Sequence, residues 1–205
     1  CSRLRKHLTS TQESFPDYRC LPVPSFGQPN PDLLIVGLAP GAHGANATGR
    51  PFTGDHAGRL LYSTLYDCGF SNKPKSVSVG DGLTLRKCRI ANAVKCLPPE
   101  NKPTLEEIKN CNNYLRTEIV SLKPGAVLIA LGKIAHDAIL RALNLRIGRY
   151  KFAHGAEHVL EGEKLVLFDS YHCSRYNTQT KRLTAEMFID VFVKAKNKIR
   201  VALYE

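Results

Sequence analysis

The chain has 205 residues, of which 43% are hydrophobic, so it is long enough to bury one substantial core. Its 29 Lys and Arg against 18 Asp and Glu give a formal charge of +11, which favours a polyanion such as nucleic acid as the partner. No apolar run approaches the roughly 20 residues of a membrane span and no charged-then-apolar leader opens the chain, so we expect an unexported protein without a membrane segment.

Four apolar runs of strand length lie along the chain. DLLIVGL at 32–38 and GAVLIALG at 125–132 are continuous apolar runs, and we predict two further strands at 88–94 and 164–172. Continuous apolar runs without alternation are typical of strands that are covered on both faces.

Helical patterns separate these strands. Apolar residues recur at helical spacing over 58–68, over 105–122 behind a capping box formed by Thr104 and Glu107, over 133–143, and beyond Thr184. Strands that alternate with helices pair in parallel through right-handed crossovers. We therefore predict one domain spanning 1–205, a three-layer α/β/α sandwich around a mainly parallel, four-stranded sheet.

A glycine-rich stretch, GLAPGAHGANATGRPFTGD at 37–55, follows the first strand directly. Glycine lets backbone approach a bound group closely, although a tight turn without a ligand would also use it. The stretch has neither the GKS or GKT of a Walker loop nor GxGxxG, so a nucleoside triphosphate is not indicated. His43, Arg50, Phe52 and Asp55 are interleaved with the glycines, which favours a site. Sites in such sheets lie beyond the strand carboxyl ends, where SYHCSRYN at 170–177 also falls.

Three motifs in register carry a family resemblance. The glycine-rich stretch, VKCLPPENKPTLEEIKNC at 94–111 and SYHCSRYNTQTKRLT at 170–184 resemble the motifs of the iron–sulfur uracil-DNA glycosylases. Ala39 stands where the sister family-4 enzymes carry glutamate, which points to the family-5 (type B) branch. The resemblance implies an enzyme that flips uracil, and other deaminated bases such as hypoxanthine or xanthine, out of DNA and hydrolyses the N-glycosidic bond. No lysine occupies a matched catalytic position, so we expect a monofunctional enzyme that leaves an abasic site.

The resemblance assigns catalysis to Asp55, His172, Asn101 and Asn177. Asp55 would orient water or stabilise the sugar cation, although a lone GD is more often a helix N-cap and the residue can serve both ends. His172 would donate to uracil O2 and stabilise the departing base anion. Asn101 suits the uracil edge or a water near the sugar, and Asn177 the sugar or water side.

Substrate contacts follow from the same match. Phe52 would stack on the base, although a phenylalanine in a glycine loop is usually a core plug. Ser174 would bond a DNA phosphate, while Arg175 and Tyr176 would enter the space left by the flipped base; a solvated loop is the competing interpretation. Two further residues are expected to contact the substrate: Gly41, and His43, which would face the base or a phosphate.

Seven cysteines in a chain without an export signal do not indicate a disulfide framework. In the resembling family, the pair matched by Cys96 and Cys111 binds a [4Fe–4S] cluster together with an N-terminal C-x-x-C pair. Cys1 matches the second member of that pair, so we expect the first to precede this sequence; recruitment of Cys20 would break the family pattern. The others read as structural: Cys68, Cys88 and Cys173.

The expected partner is DNA containing uracil or other deaminated bases, with no membrane partner. We expect a monomer in the cytoplasm of a prokaryote, associated with the nucleoid when it acts on DNA. The first alternative is a catalytically weak nucleic-acid-binding or damage-sensing iron–sulfur protein of the same fold. A second is an iron–sulfur redox protein.

Overall fold

The computed structural model describes residues 1–162 and 164–202, and a six-stranded sheet lies at its centre. The order across the sheet is β1-β3-β2-β4-β6-β5, with the inner four strands parallel and the two edge strands antiparallel to their neighbours. The strands are β1 Phe26–Gly27, β2 Leu33–Gly37, β3 Cys88–Asn92, β4 Val127–Leu131, β5 Glu157–Leu160 and β6 Leu165–Ser170.

The described residues also form seven α-helices. They are α1 Ser2–Ser14, α2 Ala45–Thr48, α3 His56–Asp67, α4 Leu105–Val120, α5 Lys133–Ala142, α6 Arg175–Gln179 and α7 Ala185–Ala202. In the described part of the chain, no helix combines the length and the apolar character that crossing a membrane requires.

The four predicted strands are present and parallel, but the predicted strand count of the sheet is wrong because two edge strands were missed. β1 has only two residues, and β5 exposes Glu157 and Val159 to solvent. An edge strand has hydrogen-bonding partners on one side only, so it does not need the continuous apolar run by which buried strands are recognised.

Each inner strand contributes to both faces of the sheet, as its uninterrupted apolar sequence predicts. In β2, Leu33 and Ile35 pack in the core that also holds apolar residues of α3 and α7, whereas Leu34 and Val36 pack in the core shared with α4 and α5. All four side chains are fully buried. Burying a side chain of this size stabilises the folded state by about 1.5–3 kcal/mol, so covering both faces is strongly favoured.

Helix capping follows the predicted chemistry. Thr104 Oγ1 accepts from the Glu107 backbone N–H at 3.2 Å, and the Glu107 carboxylate accepts from the Thr104 N–H at 2.8 Å, so the capping box is confirmed. Thr184 Oγ1 accepts from Met187 N–H at 3.2 Å at the start of α7. Arg3 of α1 forms two hydrogen bonds with Glu107, at 2.8 and 2.7 Å, and this pairing holds the pKa of the Glu107 carboxyl below its ordinary value.

Candidate active site at the carboxyl ends of the parallel strands

Asp55 is the N-cap of α3. Its Oδ1 accepts from the Gly58 backbone N–H at 2.7 Å, so the capping role expected of a GD pair is present. The rest of the carboxyl group lies against the glycine-rich loop: a Cβ atom at Gly44 would lie 2.6 Å from the Asp55 Cβ and 2.7 Å from Oδ2. Burial raises the pKa of the Asp55 carboxyl, and the Gly58 hydrogen bond opposes that rise. Glycine at 44 is therefore required for the carboxylate to occupy this position.

Phe52 reaches the end of β2 from the same loop. Its ring lies so close to Gly37 that a Cβ atom there would be 2.6 Å from Phe52 Cζ. The residue has a positive φ of 55°, a conformation that costs a non-glycine residue on the order of 1–3 kcal/mol and that clusters at functional sites. Its ring centroid is 6.0 Å from that of His172, with 29° between the planes, so the two rings face each other.

His172 follows the end of β6, beside Gly132 at the end of β4. Burial lowers its pKa to about 4, so the imidazole is neutral near pH 7. A neutral imidazole carries one N–H that can donate and one ring nitrogen that can accept. Asn177 Nδ2 donates to the His172 carbonyl at 2.8 Å and thus fixes the backbone that carries the ring.

Sequence analysis missed Asn92, the last residue of β3. Its side chain is 2% exposed, and Oδ1 has no hydrogen-bond partner among the described residues. Asn92 pairs in register with Gly37, where a Cβ atom would lie 2.5 Å from Asn92 Oδ1. A buried amide oxygen without a partner is costly, so Asn92 Oδ1 is available to accept a hydrogen bond from a ligand. The signal in the sequence was one uncharged amide residue, Asn92, inside the apolar second half of CRIANAV.

The remaining predicted residues lie on exposed segments. Asn101 is exposed at a positive φ of 55° in the turn over 99–101, where its N–H donates to the Pro98 carbonyl at 3.1 Å. Ser174 caps α6, accepting from the Asn177 N–H at 3.4 Å, and the next two residues, Arg175 and Tyr176, are exposed. None of these contacts joins Asn101 to the group around Asp55.

A second loop borders Asp55 on the other side. Arg50 is buried and donates to Ser76 Oγ and Asp81 Oδ1, both at 2.9 Å, which fixes the loop between α3 and β3. This loop closes a cavity of about 500 Å³ whose lining includes Asp55 and two cationic side chains, Arg59 and Lys75. Sequence analysis singled out neither cation.

Comparisons with known proteins give the family. Residues 24–196 match the model of the uracil DNA glycosylase superfamily. The chain belongs to this superfamily. It is 46% identical over 201 residues to a type-5 uracil-DNA glycosylase of Thermus thermophilus, covering 96% of this chain and 91% of that protein. It is 44% identical over 174 residues to a type-5 enzyme of Pyrobaculum aerophilum, covering 85% and 75%. A type-4 enzyme of Saccharolobus solfataricus is 28% identical over 171 residues, covering 81% and 72%. The predicted family and its type-5 branch are confirmed.

In this protein, four cysteines line one cavity of about 1220 Å³ between α1, α4 and the segment before β1. Three are those matched to the cluster motif, Cys1, Cys96 and Cys111, and the fourth is Cys20. Burial, and then the neighbouring Cys111, raises the pKa of the Cys96 thiol. A [4Fe–4S] cluster is normally held by four thiolates, so the donor set and the cavity fit such a group.

The other three cysteines are buried in the protein core, as predicted for structural residues: Cys68, Cys88 and Cys173. Burial raises the pKa of each thiol, and for Cys173 the charge of Asp55 adds to the effect.

One group of side chains in residues 1–162 and 164–202 has the spacing to hold a single metal ion, namely His136, His158 and Asp169. Asp169 already shares hydrogen bonds with both rings, at 2.7 Å to His136 Nδ1 and 2.9 Å to His158 Nε2. The second nitrogen of His136 lies 3.0 Å from the Tyr150 carbonyl oxygen. These groups satisfy one another, so they explain their own burial without a metal.

Proposed function

We propose that this protein is a DNA-repair uracil-DNA glycosylase, a hydrolase that extrudes uracil from DNA and cleaves its N-glycosidic bond. The observation that carries the proposal is the presence of a buried carboxylate, Asp55, and a neutral imidazole, His172, together with the Phe52 ring that faces His172, at the carboxyl ends of the parallel strands. The reaction needs these two opposite electrostatic contacts, because positive charge grows on the sugar while negative charge grows on the base.

Base recognition falls to Phe52 and Asn92. The Phe52 ring offers an apolar face on which a flipped pyrimidine can stack. The amide of Asn92 can accept from uracil N3–H through its unpartnered Oδ1 and donate to uracil O4 through Nδ2. Cytosine presents the opposite pattern at these two atoms, so the same amide would disfavour the normal base. Hypoxanthine and xanthine carry the N–H beside a carbonyl that deamination creates, and on this ground we extend the proposal to them.

Bond cleavage follows from the protonation states at the site. His172 is neutral, so it stabilises the departing uracil anion by donating an N–H to O2 rather than by protonating it fully. The Asp55 carboxylate stabilises the sugar cation and orients the water that attacks it. Asn177 acts on the same step by holding the His172 backbone. No lysine lies among these residues to form a covalent adduct with the sugar, so the proposed product is an abasic site in an intact strand.

The DNA backbone is bound by cations around the site. Arg59 and Lys75 line the cavity beside Asp55, where they would neutralise phosphates of the strand that carries the flipped nucleotide. Arg175 and Tyr176 project from the start of α6, next to the His172 segment, where they can enter the gap that the flipped base leaves. We propose the outer residues Gly41, His43, Asn101 and Ser174 as further contacts to the base, a water or a phosphate.

We also propose that Cys1, Cys96 and Cys111 hold three irons of a [4Fe–4S] cluster, with the fourth thiolate from an upstream cysteine or from Cys20. When bound, such a cluster would cross-link the start of α1, the segment of Cys96 and α4, and hydrolysis needs no electron from it. We propose a monomeric, one-domain enzyme in the cytoplasm of a prokaryote, and because its substrate is DNA we propose that it works at the nucleoid.

The test uses end-labelled duplexes that each hold one uracil, hypoxanthine, xanthine or mismatched thymine. The protein is added in excess, the reaction is stopped at timed intervals, and alkali then cleaves the strand at abasic sites. We expect alkali-dependent cleavage at uracil. If uracil DNA is bound and remains uncut after alkali, the protein is a damage-binding member of the fold and the proposed activity is wrong.

A further inference from the structure

The segment FPDY at 15–18 forms a tight turn that presents two aromatic rings. The Tyr18 N–H donates to the Phe15 carbonyl at 3.0 Å, with Pro16 at the position where proline favours such a turn. The Phe15 and Tyr18 rings stack, with centroids 4.7 Å apart and planes 12° apart. His43 meets both rings edge-on, at 5.2 and 5.8 Å, and its Nδ1 shares a hydrogen bond of 2.8 Å with the Tyr18 hydroxyl. We name Phe15, Tyr18 and His43 the aromatic platform.

The aromatic platform is attached to the loop that holds Asp55. His43 lies between Gly41 and Gly44, the glycines whose backbone borders the Asp55 carboxyl group. The segment after Tyr18 is tied to the same loop, because Arg19 N–H donates to the Ala47 carbonyl at 3.1 Å and the next N–H donates to the Asn46 carbonyl at 3.2 Å. Any ligand on the platform is therefore held in a fixed relation to the catalytic carboxylate.

The platform is exposed although it is apolar. The Phe15 side chain is 40% exposed and His43 is also exposed, while Tyr18 packs its inner side near Leu8 and Leu97. One exposed cation, Arg19, follows Tyr18 directly, and the exposed carboxylates of Glu13 and Asp17 lie on the same segment. An exposed aromatic face is the group on which an unstacked base of nucleic acid stacks, and a neighbouring cation such as Arg19 can pair with a phosphate.

We propose that the aromatic platform stacks an unpaired base of the DNA substrate, next to the nucleotide that enters the active site. The proposal rests on the proposed function, because DNA distorted for base extrusion supplies bases that have lost their stacking neighbours. Phe15 is the outermost ring and provides the stacking face. Tyr18 supports it from below, and His43 fixes the pair to the loop of Asp55.

The experiment measures binding of DNA that carries a non-cleavable 2′-fluorinated uracil nucleotide, as a single strand and as a duplex. Stacking on an aromatic ring typically changes affinity by about tenfold or more per base, so we expect Phe15→Ala to weaken binding about tenfold. Phe15→Tyr keeps the ring and should bind within about twofold of the wild type. Tyr66→Ala is the matched control, because Tyr66 is also an exposed aromatic residue but lies eleven residues beyond Asp55 on α3, about 16 Å along the helix axis.

A fluorescent base locates the contact. 2-Aminopurine is placed in turn on each side of the uracil and opposite it, and its fluorescence in the complex is compared between wild type and Phe15→Ala. We expect a difference at one of these positions. Thermal melting shows whether Phe15→Ala folds. If Phe15→Ala does not fold, Phe15→Leu replaces it, because leucine keeps the apolar packing without an aromatic face, and we expect Phe15→Leu to weaken binding as well. The proposal is overturned if Phe15→Ala binds within twofold of wild type, or if 2-aminopurine responds identically at every position.

Failure of the proposal and failure of the proposed function look different. Excision at saturating protein tests the function, and Phe15→Ala should excise uracil within about threefold of the wild-type single-turnover rate. Phe15 meets His43, a proposed outer contact, but no contact joins it to Asp55, His172 or Asn177 among the described residues. A wild-type protein that binds DNA without cutting uracil would contradict the function while leaving the stacking measurement intact.

Discussion

Asp55 combines two roles that substitution can separate. As the N-cap of α3 it accepts a hydrogen bond from Gly58 N–H, and as a carboxylate it supplies charge to the reaction. Asparagine caps a helix about as well as aspartate, so Asp55→Asn keeps the first role and removes the second, whereas Asp55→Ala removes both. The pair of variants therefore distinguishes a structural residue from a catalytic one.

The stability of the two variants should differ in sign. Loss of a capping side chain costs about 1 kcal/mol, which lowers the melting temperature of a chain of this size by about 2–4 °C for Asp55→Ala. Burial raises the pKa of the Asp55 carboxyl, so the folded protein disfavours its charged form relative to the unfolded chain, and this costs stability above the ordinary pKa. Asp55→Asn removes that cost and should melt at or above the wild-type temperature.

The catalytic effect should be large for both variants. Loss of one preorganised electrostatic contact commonly slows the chemical step by about 100- to 1,000-fold. Binding of uracil duplex should change by less than about tenfold, or about 1.4 kcal/mol, because the contact strengthens only toward the transition state.

Single-turnover excision of end-labelled uracil DNA, with protein in excess, measures the chemical step, and anisotropy with 2′-fluorinated uracil DNA measures binding. If Asp55→Asn excised uracil at nearly the wild-type rate while Asp55→Ala was merely less stable, Asp55 would be a helix cap and the catalytic assignment would be wrong.

Four further predictions follow from the site. Asn92→Ala should melt at or above the wild-type temperature, because it removes a buried unpartnered oxygen, yet lose most uracil excision; a slower rate with a lowered melting point would contradict a recognition role. Because the pKa of Asp55 is raised, the excision rate should fall on acidification at a pH above the ordinary aspartate pKa of 3.8. His172 stays neutral down to about pH 4, so it should add no loss between pH 5 and 8 when the rate is measured against pH. The purified protein should be brown, and Cys111→Ser should lose iron by elemental analysis while Cys68→Ala keeps it. DNA affinity should fall steeply between 50 and 200 mM salt, because cationic side chains that contact phosphates release counterions; an affinity that did not change would argue against phosphate contacts.

The architecture was readable from the sequence where burial left a strong pattern. The inner strands have uninterrupted apolar sequences because both their faces are covered, and α4 and α7 begin at caps formed by Thr104 and Thr184. α1 was not predicted, because it buries only Leu4 and Leu8 and is otherwise polar, so it lacks the broad apolar stripe of a core helix. The edge strands were not predicted, because hydrogen bonding to a neighbouring strand holds them in place and their own sequences have no continuous apolar pattern.

The site was only partly predictable. The glycine-rich stretch indicated close approach of backbone to a bound group, but what approaches the glycines most closely includes the protein's own side chains. Gly37 leaves room for Phe52 and for Asn92, and Gly44 leaves room for Asp55. A sequence pattern marks the residue that lacks a side chain and not the residue that fills the space, so Asn92, on a separate strand, gave no signal that could be connected with the loop.

The site collects features that each oppose folding. Phe52 adopts a positive φ, Asn92 buries an unpartnered oxygen, and both titratable residues, Asp55 and His172, have pKa values shifted by burial against their charged forms. The adjoining apolar sheet, buried on both faces, supplies the stability that keeps them in place. The unfavourable features share one purpose, since an aromatic face, an amide edge, a carboxylate and a neutral imidazole are the groups that a flipped uracil would engage. Substitutions that relax such a feature and keep the helix cap, as Asp55→Asn and Asn92→Ala do, should therefore tend to stabilise the fold while slowing excision, which is the relation expected where residues are selected for the transition state rather than for the native state alone.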